Sequence, residues 1–341
     1  MNKSTSHKRL ILPDLLKGIA ILFMIQVHLM ELLAKQQIFD SVWGEISLFL
    51  GGAPAAPLFM IIMGYFVAWK NQDRLDLIGR GIKLFILGIL LNIGLNLHLI
   101  YKVLFEQWSY NLYEYIFGVD ILHFAGLSLI FIGLILKWIK SNQWYIFSFI
   151  LLVFILQSII PENNNNTFIY INSFIIGGTS WSYFPLIPWL AYPLTGIMFY
   201  QLESQLPTVS NIKPKTTALL LAFILFMILT WNFSTNISYN LPIYYHHGFD
   251  YFIWTLMFLG MSILLISIKN KTHYKAKWAK YLIFTGRNIT NIYVFQWLII
   301  GNLATSYYKQ FDGLQIIISF VIITILSSVM TYFYQKIKEH N

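Results

Sequence analysis

Three ionisable side chains share one stripe of the first long apolar segment. Asp14, Lys17 and His28 are separated by three and eleven residues. At ~100° per residue, His28 points within about 40° of Asp14 and about 20° of Lys17, and it lies roughly 21 Å along the helix from Asp14. An imidazole can accept a proton near neutral pH. The stripe therefore predicts a general base at one end of this helix and a charged group at the other, although Asp14 and Lys17 could also form an ordinary pair across one turn.

A second carboxylate and imidazole lie further along the chain. Asp120 and His123 are three residues apart, so a helix would place them on one face. A carboxylate beside an imidazole can fix its tautomer and raise its basicity. These two residues are candidates to share or orient the proton transfer of His28, or alternatively a buried polar pair that clamps two helices.

Cations also occur within predicted helix ends and not only in loops. Arg80, Lys83 and Arg287 have such positions, and Asn288 follows Arg287. Arginine forks and lysine point charges suit a phosphorylated ligand. Together with Asp14 and Lys17, we predict that Arg80, Arg287 and Asn288 bind such a ligand. The alternative is ordinary anchoring of helix ends by basic residues.

Metal and thiol chemistry find no support in the sequence. The chain has no cysteine, and the adjacent His246 and His247, with Asp250 nearby, are poorly spaced for a metal site because neighbouring residues point to different faces. We predict no metal site.

The elements that must position these residues are apolar helices. Hydrophobic residues make up 57% of the 341 residues, charged residues 11%, and the mean hydropathy is +0.63. Soluble domains carry about 25% charged residues. We predict an all-α, polytopic membrane bundle in which residues 1–341 form a single domain. Its ten spans are predicted near 12–33, 46–69, 80–100, 113–136, 144–160, 184–202, 216–233, 250–268, 281–303 and 313–335.

The basic charge follows this topology. With both termini inside, only Lys35, Lys102 and Lys309 fall outside, which leaves 20 of the 23 lysines and arginines on the inner side. The net charge of +9 thus indicates orientation in a lipid bilayer and not a nucleic-acid partner. We expect a multi-pass protein of the cell membrane.

The first segment resembles the opening of the transmembrane acyltransferase superfamily, in which Arg9, Asp14, the sequence KGIA at 17–20 and His28 match the motif. Further segments are similar to its heparan-alpha-glucosaminide N-acetyltransferase-like branch, which is related to acyltransferase family 3. They are PLFMIIMG at 57–64, DILHFAGL at 120–127, YFPLIPW at 183–189 and GRNITNIY at 286–293.

The resemblance implies transfer of an acyl group, usually acetyl, from cytoplasmic acetyl-CoA or another acyl-CoA to a carbohydrate or glycolipid hydroxyl or amine at the outer face. The acyl-CoA would be a co-substrate, with no permanently bound cofactor. Two positions depart from the family pattern. Ser182 stands where Asp is common, and the segment around Trp43 and Gly44 lacks the histidine of the eukaryotic members. The base is therefore expected to be His28 or His123.

Two other functions fit the same residues. A transporter or flippase for a lipid-linked or polyol substrate would also use membrane histidines and the broken helix expected from GGAPAAP at 51–57. No inverted repeat is evident in the sequence. A purely structural membrane partner would leave the polar stripe of the first segment unexplained.

Overall fold

The computed structural model describes residues 10–160, 168–205, 216–268 and 275–340. Arg9 of the first motif lies outside these residues, as do the predicted inner cations at 3, 8, 213, 215, 269 and 271. The described residues form helices and no named strand. The helices are α1 (Ile11–Leu33), α2 (Gln36–Phe39), α3 (Val42–Leu50), α4 (Ala56–Trp69), α5 (Arg74–Leu95), α6 (Leu97–Phe105), α7 (Leu112–Ile116), α8 (Ile121–Ser141), α9 (Gln143–Ile159), α10 (Ile169–Ile175), α11 (Leu186–Trp189), α12 (Ala191–Gln205), α13 (Thr216–Tyr239), α14 (Leu241–Tyr245), α15 (Phe249–Ile268), α16 (Lys277–Arg287), α17 (Ile289–Tyr307) and α18 (Gly313–His340).

The chain is an all-α, multi-pass membrane protein. Within the described residues, seven helices are long and apolar enough to cross a bilayer, and α9 is a shorter apolar helix. The other two predicted spans, 184–202 and 281–303, coincide with interrupted helices, α11–α12 and α16–α17. The count of ten spans and the placement of both termini inside stay predictions.

Helix α1 lies at the centre of the bundle. Its residues Ala20, Ile21, Ile25, Leu29 and Leu33 have no exposed surface. It contacts α3, α4, α16, α17 and α18. An apolar helix that is buried on nearly all sides belongs to the interior of a bundle, so the predicted polar stripe faces other helices and not lipid.

The second span is continuous but changes its hydrogen-bond pattern at a π-helical segment, Gly51–Ala55, between α3 and α4. All five residues are buried. A Cβ atom on Gly51 would lie 2.2 Å from Val27 Cβ, and the Tyr244 hydroxyl donates to the Gly52 carbonyl at 3.0 Å. The π-helical segment thus packs closely against α1, and the Tyr244 side chain hydrogen-bonds its backbone.

At three spans near the candidate site, the helices differ from the predicted bounds. The third span runs over Arg74–Leu95 and ends at Asn96 rather than near 100. The fourth begins at Ile121 and not near 113, because Asp120 caps α8 with its carboxylate on the Ile121 N–H. The ninth is interrupted at Asn288, which separates α16 from α17.

Candidate active site

One end of α1 carries a cluster of charges around a buried carboxylate, which we call the basic end: Asp14, Lys17 and Arg287. Asp14 is only 2% exposed. Its carboxylate lies 3.0 Å from Lys17 Nζ and 3.4 Å from Arg287 Nε. The predicted pairing of Asp14 with Lys17 across one turn therefore forms, and α16 adds a second cation to it.

Two glycines allow this cluster to form. A Cβ atom on Gly286 would lie 1.7 Å from the Asp14 carbonyl oxygen, and one on Gly18 would lie 2.0 Å from the Leu282 carbonyl oxygen. The backbones of α1 and α16 are thus in direct contact. This close approach places Arg287, at the end of α16, beside Asp14 in the first turn of α1.

An open pocket of about 550 Å³ adjoins the basic end. Lys280 and Arg287 both line it, which gives it two cations about two turns apart on α16. Asn288 lines it too, and its side-chain oxygen accepts a hydrogen bond from Gln335 of α18. The other lining residues are Ile283 and Phe284. Arg287 and Asn288, two of the residues predicted to bind a phosphorylated ligand, therefore face one polar pocket.

Arg80 has a different neighbourhood from Arg287. Its guanidinium donates to the side chain of Gln72, in the turn between α4 and α5. The Gln72 carbonyl also accepts from Lys140 Nζ at 3.4 Å. Arg80 thus belongs to a polar group at the α5–α8 pair, and the predicted joint contact of Arg80 and Arg287 with one ligand has no direct support in this arrangement.

At the other end of α1, His28 lies among residues of α17, and we call this region the histidine end: His28, Tyr293, Gln296 and Trp297. His28 Nδ1 lies 3.3 Å from Gln296 Oε1 and 3.2 Å from Gln296 Nε2. The imidazole ring is 4.1 Å from the Trp297 ring, centroid to centroid. Within the described part of the chain, no residue hydrogen-bonds His28 Nε2. Gln296 thus contacts the imidazole at Nδ1, and Trp297 contacts it on one face. The ring is half-buried, and Nε2 remains available.

Asp120 joins the histidine end through Tyr293. The Tyr293 hydroxyl donates to Asp120 Oδ1 at 2.5 Å, and the Tyr293 and His28 rings meet edge to face at 6.3 Å. Asp120 is 9% exposed. The structure therefore brings together Asp120 and His28, which are 92 positions apart in the sequence, through a residue of α17.

His123 has the surroundings of a structural residue. Its Nδ1 accepts the Asp120 backbone N–H at 3.3 Å, so it completes a capping box at the start of α8 and does not bond the Asp120 carboxylate through its ring. The ring has no exposed surface and lies against Gly88 and between Phe85 and Phe174. Of the two predicted bases, His28 is the one whose ring has an accessible nitrogen.

A small apolar cavity of about 10 Å³ lies between the two ends, which is room for about one water molecule. Ile289 and Thr290 line it next to Asn288 of the basic end, and Tyr293 lines it next to His28. The remaining lining residues are Met24, Phe59, Ile121 and Leu122. Phe59 belongs to the motif at 57–64, so this segment contributes to the interior between the two ends.

Sequence reasoning missed Glu31 as a possible site residue. It follows His28 by three positions in α1 and is half-buried. The available signal was a charged residue within a predicted span, which has the same physical meaning as His28 itself. Gln296 and Tyr293 were visible as polar residues of a span, but their pairing with His28 and Asp120 was not.

The model of the family described as "Heparan-alpha-glucosaminide N-acetyltransferase, catalytic" matches residues 9–228. That match covers more than half of the chain. The chain belongs to this family. Comparisons with curated proteins and with solved structures gave no match. The predicted resemblance to the heparan-alpha-glucosaminide N-acetyltransferase-like branch is thereby confirmed, and the family is one of membrane acetyltransferases.

The matched region contains His28, Asp120 and His123 but ends before α16 and α17. In this member of the N-acetyltransferase family, the residues that contact Asp14, Asp120 and His28 therefore come from the part of the chain beyond the match. They are Arg287, Tyr293 and Gln296, respectively. Their association with α1 rests on the contacts given above.

Proposed function

We propose that this protein transfers an acetyl group from acetyl-CoA, bound at the basic end, to a hydroxyl or amine of a cell-envelope carbohydrate at the histidine end. The observation that carries the proposal is the placement of both ends on α1, with cations at one and an accessible imidazole at the other. In the orientation predicted from the lysines and arginines, the basic end faces the cytoplasm and the histidine end faces outward across the cell membrane.

The donor is expected to bind with its phosphates on Arg287 and Lys280. Both residues line the open pocket beside α18, and Arg287 keeps 44% of its side chain exposed although it touches Asp14. The Asp14 carboxylate holds Arg287 in place from α1. A half-exposed guanidinium can form a bidentate bond to phosphate without giving up a buried partner.

At the histidine end, His28 acts as the general base. When its Nδ1–H donates to Gln296 Oε1, Nε2 carries the lone pair that accepts the proton. The acceptor oxygen or nitrogen attacks the thioester carbon while its proton passes to Nε2. The carbon–sulfur bond then breaks, and the proton passes from His28 to the leaving sulfur, which gives the free CoA thiol.

The acetyl thioester has to reach His28 through the small apolar cavity between the ends. Its lining is apolar apart from Thr290 and Tyr293, and suits a thin uncharged arm. Side chains such as Met24 and Phe59 must move to admit it, because the cavity holds about one water molecule. This narrow connection would keep bulk water away from the thioester.

The test is acetyl-CoA binding and slow acetyl-CoA hydrolysis by the purified protein, with wild type beside Arg287→Ala and His28→Ala. Loss of a charge-assisted hydrogen bond costs about 1.5–3 kcal/mol, so Arg287→Ala should weaken binding about ten- to a hundredfold. General-base catalysis supplies about 10²–10⁴-fold, so His28→Ala should lower hydrolysis by that factor with binding retained.

Two matched variants control for nonspecific damage. Arg74→Ala removes an exposed arginine of α5, and His98→Ala removes a half-buried histidine that bonds Asn302. Neither should change binding or hydrolysis. Failure of the folded wild type to bind acetyl-CoA or longer acyl-CoAs would overturn the proposal and leave a transporter as the better hypothesis.

A further inference from the structure

The histidine end contains a carboxylate to which the proposed reaction assigns no role. Glu31 follows His28 by three residues, so the two side chains are neighbours on one face of α1. Glu31 belongs to the last turn of this apolar helix and is half-buried. A carboxylate in a membrane-spanning helix is costly and therefore marks a functional position unless a protein partner accounts for it.

No such partner is present in the described part of the chain. None of its residues hydrogen-bonds the Glu31 carboxylate or pairs with it within 4 Å. Lys309 is close enough for electrostatic attraction to Glu31, but its ammonium group lies over the Phe39 ring at 3.7 Å. The carboxylate oxygens of Glu31 therefore remain available to a ligand.

The backbone holds Lys309 near Glu31. The Lys309 N–H donates to the Leu32 carbonyl at 2.9 Å, and the Phe311 N–H donates to the Leu33 carbonyl at 2.7 Å. The loop between α17 and α18 is thus fixed to the end of α1. This loop lies beside Glu31, and none of its described side chains hydrogen-bonds the Glu31 carboxylate.

Two tyrosines also lie within electrostatic reach of Glu31. Glu31 is close enough to act electrostatically on the hydroxyls of Tyr183 and Tyr245, whose rings are 5.2 Å apart. Tyr183 is 42% exposed, and the Tyr245 carbonyl accepts from Trp189 Nε1 at 2.8 Å. The sequence YFPLIPW at 183–189 therefore supplies Tyr183, whose ring is exposed, and Trp189, which hydrogen-bonds the backbone of Tyr245.

We propose that Glu31 binds and positions the acceptor, a sugar whose hydroxyl or amine donates to the Glu31 carboxylate while its ring lies against Tyr183. This inference rests on the proposed acetyl transfer and adds the residue that orients the second substrate. A carboxylate accepts hydrogen bonds only, so it selects donor groups, and a few fixed polar groups beside aromatic rings are typical of small-molecule sites. Bound in this way, the nucleophile lies one helical turn from His28.

The experiment compares Glu31→Gln with wild type in proteoliposomes supplied with acetyl-CoA and either glucosamine or glucose, and it measures CoA thiol release. The carboxamide keeps the shape but loses the charge. We expect the KM for the sugar to rise about tenfold or more with little change in kcat, and the dissociation constant for acetyl-CoA to stay at the wild-type value. Glu31→Asp should restore part of the affinity.

Glu45→Gln, at an exposed position of α3, is the matched control and should leave both constants unchanged. Treatment of the product with hydroxylamine distinguishes an ester, which it cleaves, from an amide, so the two sugars separate a hydroxyl from an amine acceptor. An unchanged sugar KM in Glu31→Gln would overturn this inference alone. A wild type that hydrolyses acetyl-CoA but responds to neither sugar would overturn both this inference and the carbohydrate acceptor of the proposed function. A wild type that does not bind acetyl-CoA would instead overturn the proposed function.

Discussion

The two ends of α1 are stabilised by different forces. At the basic end, charged groups contact one another: the buried Asp14 carboxylate contacts Lys17 and the half-exposed Arg287, and the α1 and α16 backbones touch at glycines. At the histidine end, neutral hydrogen bonds and aromatic rings hold the side chains, with Gln296 on His28 and Trp297 against its ring. Ion pairs thus hold the side chains of the basic end, whereas uncharged contacts hold His28 itself.

This difference suits the two proposed tasks. A site for phosphates needs positive charge that stays in place, and a buried carboxylate keeps Lys17 and Arg287 oriented. A general base needs a ring that can change its protonation state, and one amide contact allows this more easily than a salt bridge does. Variants at the two ends of α1 should therefore differ in their effects on Tm and on acetyl-CoA binding.

The largest expected effect is at Asp14. Replacement by Asn removes the carboxylate that lies 3.0 Å from Lys17 Nζ, and breaking a buried charge pair costs about 3 kcal/mol or more. We expect a clear fall in Tm in a thermal unfolding assay and weaker acetyl-CoA binding. Glu106→Gln, which removes the exposed partner of Lys102, should cost about 1 kcal/mol or less. Equal effects of the two variants would contradict a stabilising role for the buried Asp14 carboxylate.

Close backbone contact between α1 and α16 should give the next effect. The methyl group of Gly286→Ala would meet the Asp14 carbonyl, and such overpacking costs about 1–3 kcal/mol. Both Tm and acetyl-CoA affinity should fall because Arg287 is displaced. Gly260→Ala in α15 meets no atom within 4 Å, so its Tm should stay the same or rise. A Gly286→Ala protein with wild-type binding would show that Arg287 does not depend on this contact.

The smallest effect is expected at Tyr293. Replacement by Phe leaves Asp120 Oδ1 with the Ile121 N–H as its remaining donor, and loss of such a buried bond costs about 1–2 kcal/mol. Differential scanning fluorimetry should show a modest fall in Tm with acetyl-CoA affinity retained. Tyr281→Phe removes an exposed hydroxyl contact to Ser328 and should have almost no effect. A fall in Tm as large as that of Asp14→Asn would show that the contacts at the two ends contribute equally to stability.

Much of the architecture could be predicted because apolar periodicity is a local property. The run of apolar residues at 12–33 and the actual helix Ile11–Leu33 differ by one residue. The start of α8 could not be predicted this way, because residues 112–116 are also mostly apolar and aromatic. The capping contacts of Asp120 and His123 decided that the helix begins at Ile121.

The candidate site was predicted only in part. Spacing alone placed Asp14, Lys17 and His28 on one stripe, and in the structure that stripe does join the basic end to the histidine end. Arg80 and Arg287 looked equivalent in the sequence, since both are arginines near helix ends. Their separation depends on which helices pack together, α5 on α8 and α1 on α16, and neither hydropathy nor charge encodes that choice locally.

The sequence by itself determined the class of the protein, its apolar helices and the polar stripe of α1, because composition and a 3.6-residue period act over short stretches of chain. The tertiary structure decided which residues meet that stripe. Gln296 reaches His28 across 268 positions and Arg287 reaches Asp14 across 273. Such contacts arise from the fit of side chains and glycines between packed helices, and the fit exists only once the helices are assembled.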